Sequence, residues 1–332
     1  CLLFFSGIYL LFCVSTTFPS LHKSGNAASR LVKTGYVHEL NDPPNVECFD
    51  SFTPKQMYPL LGLGTGGLSD DAAYDATMKA LRLGYRLIDT SLSYKNERGI
   101  GRAIRDSNVP RDEIFILTKC CSTACSMSAQ AIYNQFNDSL GRLGLDYVDG
   151  YLIHLPGEMG RSSQKLKSNL HNTEFVYNTF SQKWPDYART NKERRIQSWL
   201  ALEALKRENR VKIIGVSNFK IKHLVDIIDV ASSPPIMNQI EWHPGFHDDE
   251  LRKFCSRHGI AIFAYSSLRR GKQAHIKFLR KIGAQYGVGV SEVSLRWAMQ
   301  QGVSVIPRAS NENHLKLNIV TSQFNLSSND MK

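Results

Sequence analysis

The chain has 332 residues, of which 42% are hydrophobic and 21% are charged, so it can form a packed core and is not a disordered protein. Its 41 basic and 30 acidic side chains give a net charge of +11, which favours anionic partners; nucleic acid, an acidic membrane surface and a phosphorylated cofactor all meet this condition. Seven scattered cysteines argue against a disulfide-stabilised scaffold.

The first 45 residues have the composition of a targeting leader. Residues 1–14 are an apolar run of the length of a signal-peptide core, and residues 18–38 contain serines, two lysines and an arginine but no acidic residue. Together they predict a signal peptide followed by a transit peptide, as in import to a plastid through the secretory route. A disordered basic leader on a cytoplasmic protein, ordinary secretion and a membrane-tethered cytosolic enzyme are the alternatives. We expect residues 1–45 to lie outside the fold and to be disordered or removed.

From residue 57 onward, short apolar runs alternate with segments whose apolar residues recur every three or four positions. We predict helices at these segments and eight strands at the runs, namely Leu60–Thr65, Tyr85–Thr90, Ile114–Lys119, Val148–Leu155, Val211–Asn218, Ile236–Trp242, Ile260–Ser266 and Val303–Arg308. Apolar strands that are each followed by a helix favour a parallel sheet covered on both faces. Eight such units match a single-domain (β/α)₈ TIM barrel over residues 46–332 better than an open sheet. No apolar run in residues 40–332 is long enough to span a bilayer.

A glycine-rich segment favours a competing fold. Gly62, Gly64 and Gly67 have the G-x-G-x-x-G spacing of dinucleotide-binding doubly wound sheets, and Asp89 follows at about the expected distance for a ribose-binding carboxylate. Against that fold, eight strands are predicted with no sign of a second domain, and the chain lacks the Tyr-x-x-x-Lys pair of short-chain dehydrogenases. We therefore prefer the barrel.

Almost every predicted strand ends on a polar or ionisable side chain. Active sites of (β/α)₈ barrels lie where the strands end at their carboxyl termini. The residues there are Thr65, Asp89, Lys119, His154, Ser217 with Asn218, Gln239 with Glu241, Tyr265 with Ser266, and Arg308. Taken singly, each has an ordinary structural interpretation as a helix cap, a packed residue or a solvated charge. A purely structural barrel does not need the whole pattern.

Several motifs occur in the order in which aldo-keto reductases carry them: Gly62-Leu-Gly-Thr65, Asp89 to Glu97, Gly215-Val-Ser-Asn-Phe219, Asn238-Gln-Ile-Glu-Trp-His-Pro244, Ala264-Tyr-Ser266 and Ile306-Pro-Arg308. On these motifs, residues 57 to 331 resemble an aldo-keto reductase. The resemblance implies an NADPH-dependent reductase of aldehydes or ketones, with a small-molecule carbonyl substrate, no nucleic-acid partner and a monomeric state. A non-catalytic NADPH-binding subunit or sensor of the same fold is the alternative.

The resemblance assigns the catalytic roles to Tyr94, Asp89, Lys119 and His154, and the chemistry of carbonyl reduction accounts for each. The carbonyl carbon takes a hydride and the oxygen takes a proton, for which Tyr94 is the predicted general acid. Because a tyrosine with a pKa near 10 is a weak acid at neutral pH, Lys119 is expected to stabilise the phenolate, and Asp89 to hold Lys119 charged. His154 is expected to donate a hydrogen bond to the substrate oxygen.

The resemblance also implies which residues contact the nicotinamide end of the cofactor. Ser217, Asn218 and Gln239 correspond to the residues that hold the carboxamide, and Tyr265 to the residue that stacks on the ring. The other expected contacts in this part of the site are Thr65, Gly66, Asp89, Ser266 and Leu268, of which the last two line the pyrophosphate.

At the adenosine end, the resemblance places Arg308 near the 2′-phosphate, where a planar guanidinium can pair bidentately with phosphate. Asn318 aligns with an adenine-contacting asparagine. His314 stands where an arginine often makes a second contact to the 2′-phosphate, so we expect a reduced preference for NADPH over NADH.

Two further features bear on the site. Cys120, Cys121 and Cys125 fit no common zinc spacing and have no histidine nearby in sequence, so we predict no metal site and interpret them as packing or pocket-rim thiols. Residues 157–195 form a long polar connection after the fourth predicted strand. We interpret it as a loop that touches ligand, with a solvated insertion as the alternative.

Overall fold

The computed structural model describes residues 58–120, 128–157, 190–268 and 276–332. Here the chain forms eight parallel strands that pair in sequence order. They are β1 (Leu63–Gly64), β2 (Leu87–Asp89), β3 (Phe115–Lys119), β4 (Val148–Ile153), β5 (Val211–Ser217), β6 (Met237–Glu241), β7 (Ala261–Tyr265) and β8 (Ser304–Val305). A parallel bridge between Leu61 and Val305 joins the two ends of the sheet. The predicted (β/α)₈ barrel is therefore confirmed.

Helices follow the strands along the chain. In the described residues they are α1 (Asp70–Arg82), α2 (Glu97–Asp106), α3 (Ala129–Leu143), α4 (Asn191–Arg207), α5 (Ile221–Ile228), α6 (Asp249–Arg257), α7 (Ile276–Tyr286), α8 (Val290–Met299) and α9 (Glu312–Val320). The segments around Leu81, Phe136 and Leu202, whose apolar residues recur every three or four positions, form the helices α1, α3 and α4 and bury these residues. Their apolar residues recur at helical spacing because one face of each helix packs on the barrel.

Polar side chains define where several helices begin. The hydroxyl of Ser69 accepts a hydrogen bond from the amide of Ala72 at the start of α1, and Thr190 and Glu193 form a reciprocal capping box at the start of α4. Both satisfy amides that have no partner within the helix. The α3 helix ends at Gly144, whose φ of 65° is a left-handed conformation that glycine adopts without strain.

The strands are shorter than predicted at both ends of the sheet. The prediction gave residues 60–65 and 303–308, whereas the regular strands β1 and β8 cover two residues each. The flanking chain still pairs, since the amide of Gly64 donates to the carbonyl of Pro307 at 3.1 Å. The apolar composition correctly indicated extended backbone here. The length of a regular strand also depends on how many residues pair with the neighbouring strand before the chain turns toward the next helix.

Two apolar clusters make up the core. The smaller one takes a single residue from each of β2 to β7 and one residue after β8, namely Leu87, Leu117, Leu152, Ile213, Met237, Phe263 and Ile306. One inward-facing residue from each strand is the pattern that fills the inside of a barrel. The larger cluster packs the strands against the helices and includes Trp199, Phe136 and Trp242. The apolar inner layer closes the barrel beneath its carboxyl-terminal end.

Parts of the sequence analysis concern residues outside the described ranges. The leader at residues 1–45, Cys121, Cys125 and most of the connection between residues 157 and 195 fall there, so those interpretations stay predictions. Within the described residues, no helix is both long enough and apolar enough to cross a membrane.

Candidate active site

The pleat of the strands directs a group of polar side chains into the barrel. Successive side chains of a strand point to opposite faces, so a residue two positions after an inward-facing one also points inward. On or directly after β2, β3, β4, β6 and β7, a polar residue follows the inner-layer residue at this spacing; these residues are Asp89, Lys119, His154, Gln239 and Tyr265. They form the next layer toward the carboxyl-terminal end of the sheet.

Asp89 and Lys119 form a buried ion pair in this layer. The ammonium of Lys119 donates to Oδ1 of Asp89 at 2.6 Å and to the carbonyl of Thr90 at 2.7 Å, and the Lys119 side chain is fully buried. Burial lowers the pKa of Lys119, but the charges and hydrogen bonds of Asp89 and Tyr94 together outweigh it, and the pKa lies above its ordinary value. Burial raises the pKa of Asp89, while Lys119 and the amide of Gln239, which donates to Oδ1 at 2.7 Å, favour the ionised carboxylate.

Tyr94 lies at the end of a short 3₁₀ turn, Leu92–Tyr94, that follows β2. The hydroxyl of Ser91 accepts the amide of Ser93 at the start of this turn, and Lys95 ends it with a φ of 59°. The ammonium of Lys119 lies 5.1 Å from the centre of the Tyr94 ring. Burial raises the pKa of Tyr94, the charge of Lys119 lowers it, and that of Asp89 raises it. The turn thus brings a protonated phenol next to a buried cation.

His154 packs against Tyr94 as a neutral imidazole. The two rings meet edge to face with their centres 5.9 Å apart, and Nδ1 of His154 lies 3.2 Å from the hydroxyl of Ser91. Burial and then the charge of Lys119 lower the pKa of His154 to about 3, against a smaller opposing effect of the Cys120 backbone. At neutral pH the ring therefore carries one proton and can donate one hydrogen bond. The structure thus brings together the four residues that were predicted as a catalytic group.

A cavity of about 780 Å³ opens over these side chains. Its lining includes most of the residues predicted to contact a cofactor: Gly66, Asp89, Ser217, Asn218, Gln239, Tyr265, Ser266, Leu268 and Arg308. Tyr94 and His154 line the same cavity. The predicted catalytic group and the predicted cofactor contacts therefore share one site.

Three of the predicted cofactor residues do not line this cavity. Thr65 is fully buried, and its hydroxyl donates to the carbonyl of Asp89 at 2.9 Å. Asn318 lies on the buried face of α9, where its side chain is hydrogen-bonded to Tyr85. His314 is exposed on the same helix. Thr65 and Asn318 have contacts within the protein, and neither they nor His314 are among the residues that line the cavity.

Asn218 links the cofactor side of the cavity to His154. Its side-chain amide donates to the carbonyl of His154 at 2.9 Å and to the hydroxyl of Ser217 at 3.0 Å, and its oxygen accepts the hydroxyl of Tyr265 at 2.6 Å. Asn218 has a φ of 64° and Ser266 a φ of 51°, both unusual for residues with a side chain. Strained backbone of this kind concentrates at functional sites.

The glycine-rich segment serves the barrel rather than a doubly wound sheet. A Cβ atom on Gly62 would lie 2.5 Å from the side chain of Leu87, and one on Gly64 would lie 2.5 Å from the carbonyl of Ile306. These glycines allow close packing inside the barrel and between its first and last strands. Next to them, the guanidinium of Arg308 donates to the carbonyl of Gly66 at 3.3 Å at the edge of the cavity.

Ser91 and Asn96 carry no predicted role, yet they belong to the site. Both are fully buried; Ser91 contacts His154, and Asn96 accepts the hydroxyl of Thr90 and donates to the carbonyls of Thr65 and Leu68. Their position between Asp89 and Glu97 was a signal, since polar residues that become buried need hydrogen-bond partners. Those partners become visible only when the barrel brings distant segments together.

Cys120 differs from the thiol that was predicted. It is fully buried and disulfide-bonded, which removes its thiol. The described residues contain no group of histidine, cysteine, aspartate or glutamate side chains that could hold a metal ion.

Comparison with known proteins gives one consistent result. The family model described as aldo/keto reductase family matches residues 60–332. The chain is 34% identical to a glyoxal reductase of Bacillus subtilis over 82% of this chain and 86% of that protein. It is also 34% identical to a 9,11-endoperoxide prostaglandin H2 reductase of Trypanosoma cruzi over 87% and 90%. The crystal structure of an aldo/keto reductase from Brucella melitensis superimposes with a TM-score of 0.69 at 36% identity, covering 82% of this chain and 92% of that one.

Proposed function

Because this chain belongs to the aldo-keto reductase family and is an oxidoreductase that acts on carbonyl compounds, we propose that it reduces an aldehyde or ketone to an alcohol with NADPH, using Tyr94 as the general acid. The observation that carries the proposal is the geometry around Lys119. One buried ammonium contacts Asp89 at 2.6 Å and lies 5.1 Å from the centre of the Tyr94 ring, and both of these partners line the cavity.

The cavity fits a nicotinamide dinucleotide in size and in chemistry. Its volume of about 780 Å³ is within the range of pockets that enclose small molecules. Gly66 and Gly67 leave the backbone open to close approach, and Arg308 lies beside them at the edge of the cavity with donors that suit a phosphate. These features support Arg308 as the residue that binds the 2′-phosphate. They also support Ser217, Asn218, Gln239 and Tyr265 as the residues around the nicotinamide.

When bound, the reduced nicotinamide supplies the hydride that the carbonyl carbon needs. The protein then has to deliver a proton to the carbonyl oxygen. Tyr94 donates its phenolic proton, and Lys119 stabilises the phenolate that remains because its ammonium lies beside the ring. Asp89 keeps Lys119 charged and oriented through the 2.6 Å contact. Water at pH 7 restores the proton after product leaves.

His154 has a different task from Tyr94. With its pKa lowered to about 3, it is neutral throughout the working range and does not compete as an acid. A neutral imidazole N–H can donate a hydrogen bond to the carbonyl oxygen and stabilise the negative charge that develops on it. The edge-to-face contact with Tyr94 keeps the two donors close enough to serve one oxygen atom.

The proposal is tested by mixing the purified chain with NADPH and a panel of aldehydes, ketones and sugars, and by following NADPH oxidation. The names of the two relatives suggest glyoxal and an endoperoxide as members of the panel. We expect turnover with at least one carbonyl compound, with NADPH used in preference to NADH. Binding of NADPH without oxidation by any member of the panel would favour the non-catalytic alternative.

A further inference from the structure

Arg195 joins three segments at the carboxyl-terminal end of the barrel. It lies near the start of α4, and its guanidinium donates to the carbonyl of Pro156 at 2.6 Å and to Oδ2 of Asp226 on α5 at 2.5 Å. Only 11% of the Arg195 side chain and 16% of that of Asp226 are exposed. The contact therefore connects the chain after β4 to two helices through nearly buried, charged groups.

The chain held by Arg195 is the one that carries His154. Its carbonyl accepts the side chain of Asn218 at 2.9 Å, and two residues later the carbonyl of Pro156 accepts Arg195. At the next residue, Gly157, a Cβ atom would lie 2.9 Å from the side chain of Asn191. Residues 154–157 are therefore held at the carbonyls of His154 and Pro156 and packed closely against the start of α4.

The chemistry of these groups suits a fixed attachment. Beyond the end of β4 the backbone has no neighbouring strand, so its carbonyls need other donors. A guanidinium has donors in a rigid plane and can bind a carbonyl and a carboxylate at the same time. Burial raises the pKa of Asp226, but the donors Arg195 and Lys192, the latter at 3.3 Å, more than reverse this and the pKa is lowered. The lowered pKa keeps the carboxylate of Asp226 charged at neutral pH, where it binds the guanidinium of Arg195.

We propose that Arg195 is a positioning residue for carbonyl reduction and that, together with Asp226, it holds the segment after β4 so that His154 reaches the substrate oxygen. The proposal rests on the function proposed above. A buried ion pair contributes little to stability beyond what apolar residues would supply, but it fixes the position of the groups that it joins. A displacement of about 1 Å in a catalytic group can reduce the rate about a hundredfold.

Arg111 provides a matched control. Its guanidinium also binds a carbonyl, that of Ile114 at 2.6 Å, and a buried carboxylate, that of Asp149 at 2.8 Å. Arg111 precedes β3 and therefore lies at the opposite end of the strands from the cavity. Arg195→Lys and Arg111→Lys make the same chemical change in the same kind of contact, and they differ in their distance from His154.

The experiment compares kcat, KM and the Kd for NADPH in the full chain and in Arg195→Lys, Asp226→Asn and Arg111→Lys, with unfolding measured for each. We expect Arg195→Lys to lower kcat about ten- to a hundredfold and to change the NADPH Kd less than about threefold. Asp226→Asn, which keeps an acceptor for Arg195, should lose less. Arg111→Lys should be less stable than wild type with an unchanged kcat. Hydrogen exchange in the peptide that contains residues 150–157 should become faster in Arg195→Lys alone.

The outcomes separate this proposal from the function on which it rests. A wild-type chain that oxidises no NADPH with any carbonyl would overturn the proposed function. An active wild type with an equal kcat in Arg195→Lys would overturn only the role of Arg195. Equal losses of kcat in Arg195→Lys and Arg111→Lys would also overturn it, because the effect would then follow from lost stability and not from the position of His154.

Discussion

The ammonium of Lys119 and the carboxylate of Asp89 meet at 2.6 Å inside the barrel, where both side chains are almost completely removed from solvent. The two residues are at the carboxyl ends of neighbouring strands, β2 and β3. The buried ammonium stays charged at this point because the carboxylate of Asp89 and the carbonyl of Thr90 accept its hydrogen bonds. The cation beside Tyr94 thus depends on Asp89.

Lys119→Met should lower kcat/KM for carbonyl reduction about a hundredfold or more, because the phenolate of Tyr94 loses its stabilising charge. The alkaline limb of the pH–rate profile should also move to higher pH. Reduction needs a protonated Tyr94, so the rate falls as pH rises through the pKa of Tyr94. Burial raises this pKa and the charge of Lys119 lowers it, so removal of Lys119 should raise it further. Kinetics as a function of pH measure both effects.

A second lysine–aspartate pair serves as the control for Lys119→Met. Lys212 binds Asp149 at 2.8 Å, and neither residue lines the cavity. Lys212→Met should leave kcat/KM and the pH profile unchanged. An alkaline limb at the same pH in Lys119→Met and in wild type would show that Lys119 does not tune Tyr94.

Arg308→Ala should weaken binding of NADPH about ten- to a hundredfold and leave binding of NADH nearly unchanged, because only NADPH carries a 2′-phosphate. Arg308→Lys, which keeps the charge but not the planar set of donors, should lose less. Titration of each cofactor by fluorescence gives the dissociation constants. Equal losses for NADPH and NADH would mean that Arg308 does not contact that phosphate.

His154→Gln should change how stability depends on acidity. The pKa of His154 is about 3 in the folded protein, below the ordinary 6.5, so unfolding takes up a proton in this range. The stability that comes from a neutral His154 is complete above pH 6.5 and is lost as pH falls from 6.5 to 3, at up to about 1.4 kcal/mol per pH unit. Glutamine does not titrate, so the free energy of unfolding in His154→Gln should depend less on pH across this interval.

Urea unfolding at several pH values makes the comparison. The exposed residue His314 supplies the control, since His314→Gln should keep the slope of wild type. If His154→Gln and wild type lost stability in parallel between pH 6.5 and 3, the assignment of a buried neutral imidazole would be wrong.

Short-range patterns predicted the barrel and the strand-end residues Asp89, Lys119 and His154, whereas Tyr94 and the catalytic roles came from the resemblance to a family. A residue two positions after a buried strand residue faces the same way, and the order of strands places Asp89, Lys119 and His154 on neighbouring strands. The contacts that orient these groups were not predictable in the same manner. The hydroxyl of Ser91 contacts His154, which is 63 positions away in the sequence, and the hydroxyl of Tyr265 binds Asn218, which is 47 positions away. Such pairs depend on how the sheet curves.

On the adenosine side, the cofactor contacts of His314 and Asn318 stay predictions. Asn318 is buried on α9 and hydrogen-bonded to Tyr85, and His314 is exposed on the same helix. A sequence motif assigns a position along a helix, and packing against neighbouring elements sets the direction in which that position faces. In α9, Leu315 and Ile319 are buried, and this packing determines which residues face the barrel.

The most direct test of the account is a comparison of Tyr94→Phe with wild type in which NADPH binding and carbonyl reduction are measured on the same samples. Phenylalanine keeps the ring that packs against His154 and removes only the proton donor. The account predicts that reduction falls about a hundredfold or more while the Kd for NADPH changes less than about twofold. Turnover at the rate of wild type in Tyr94→Phe would contradict it, because the proton would then come from another group.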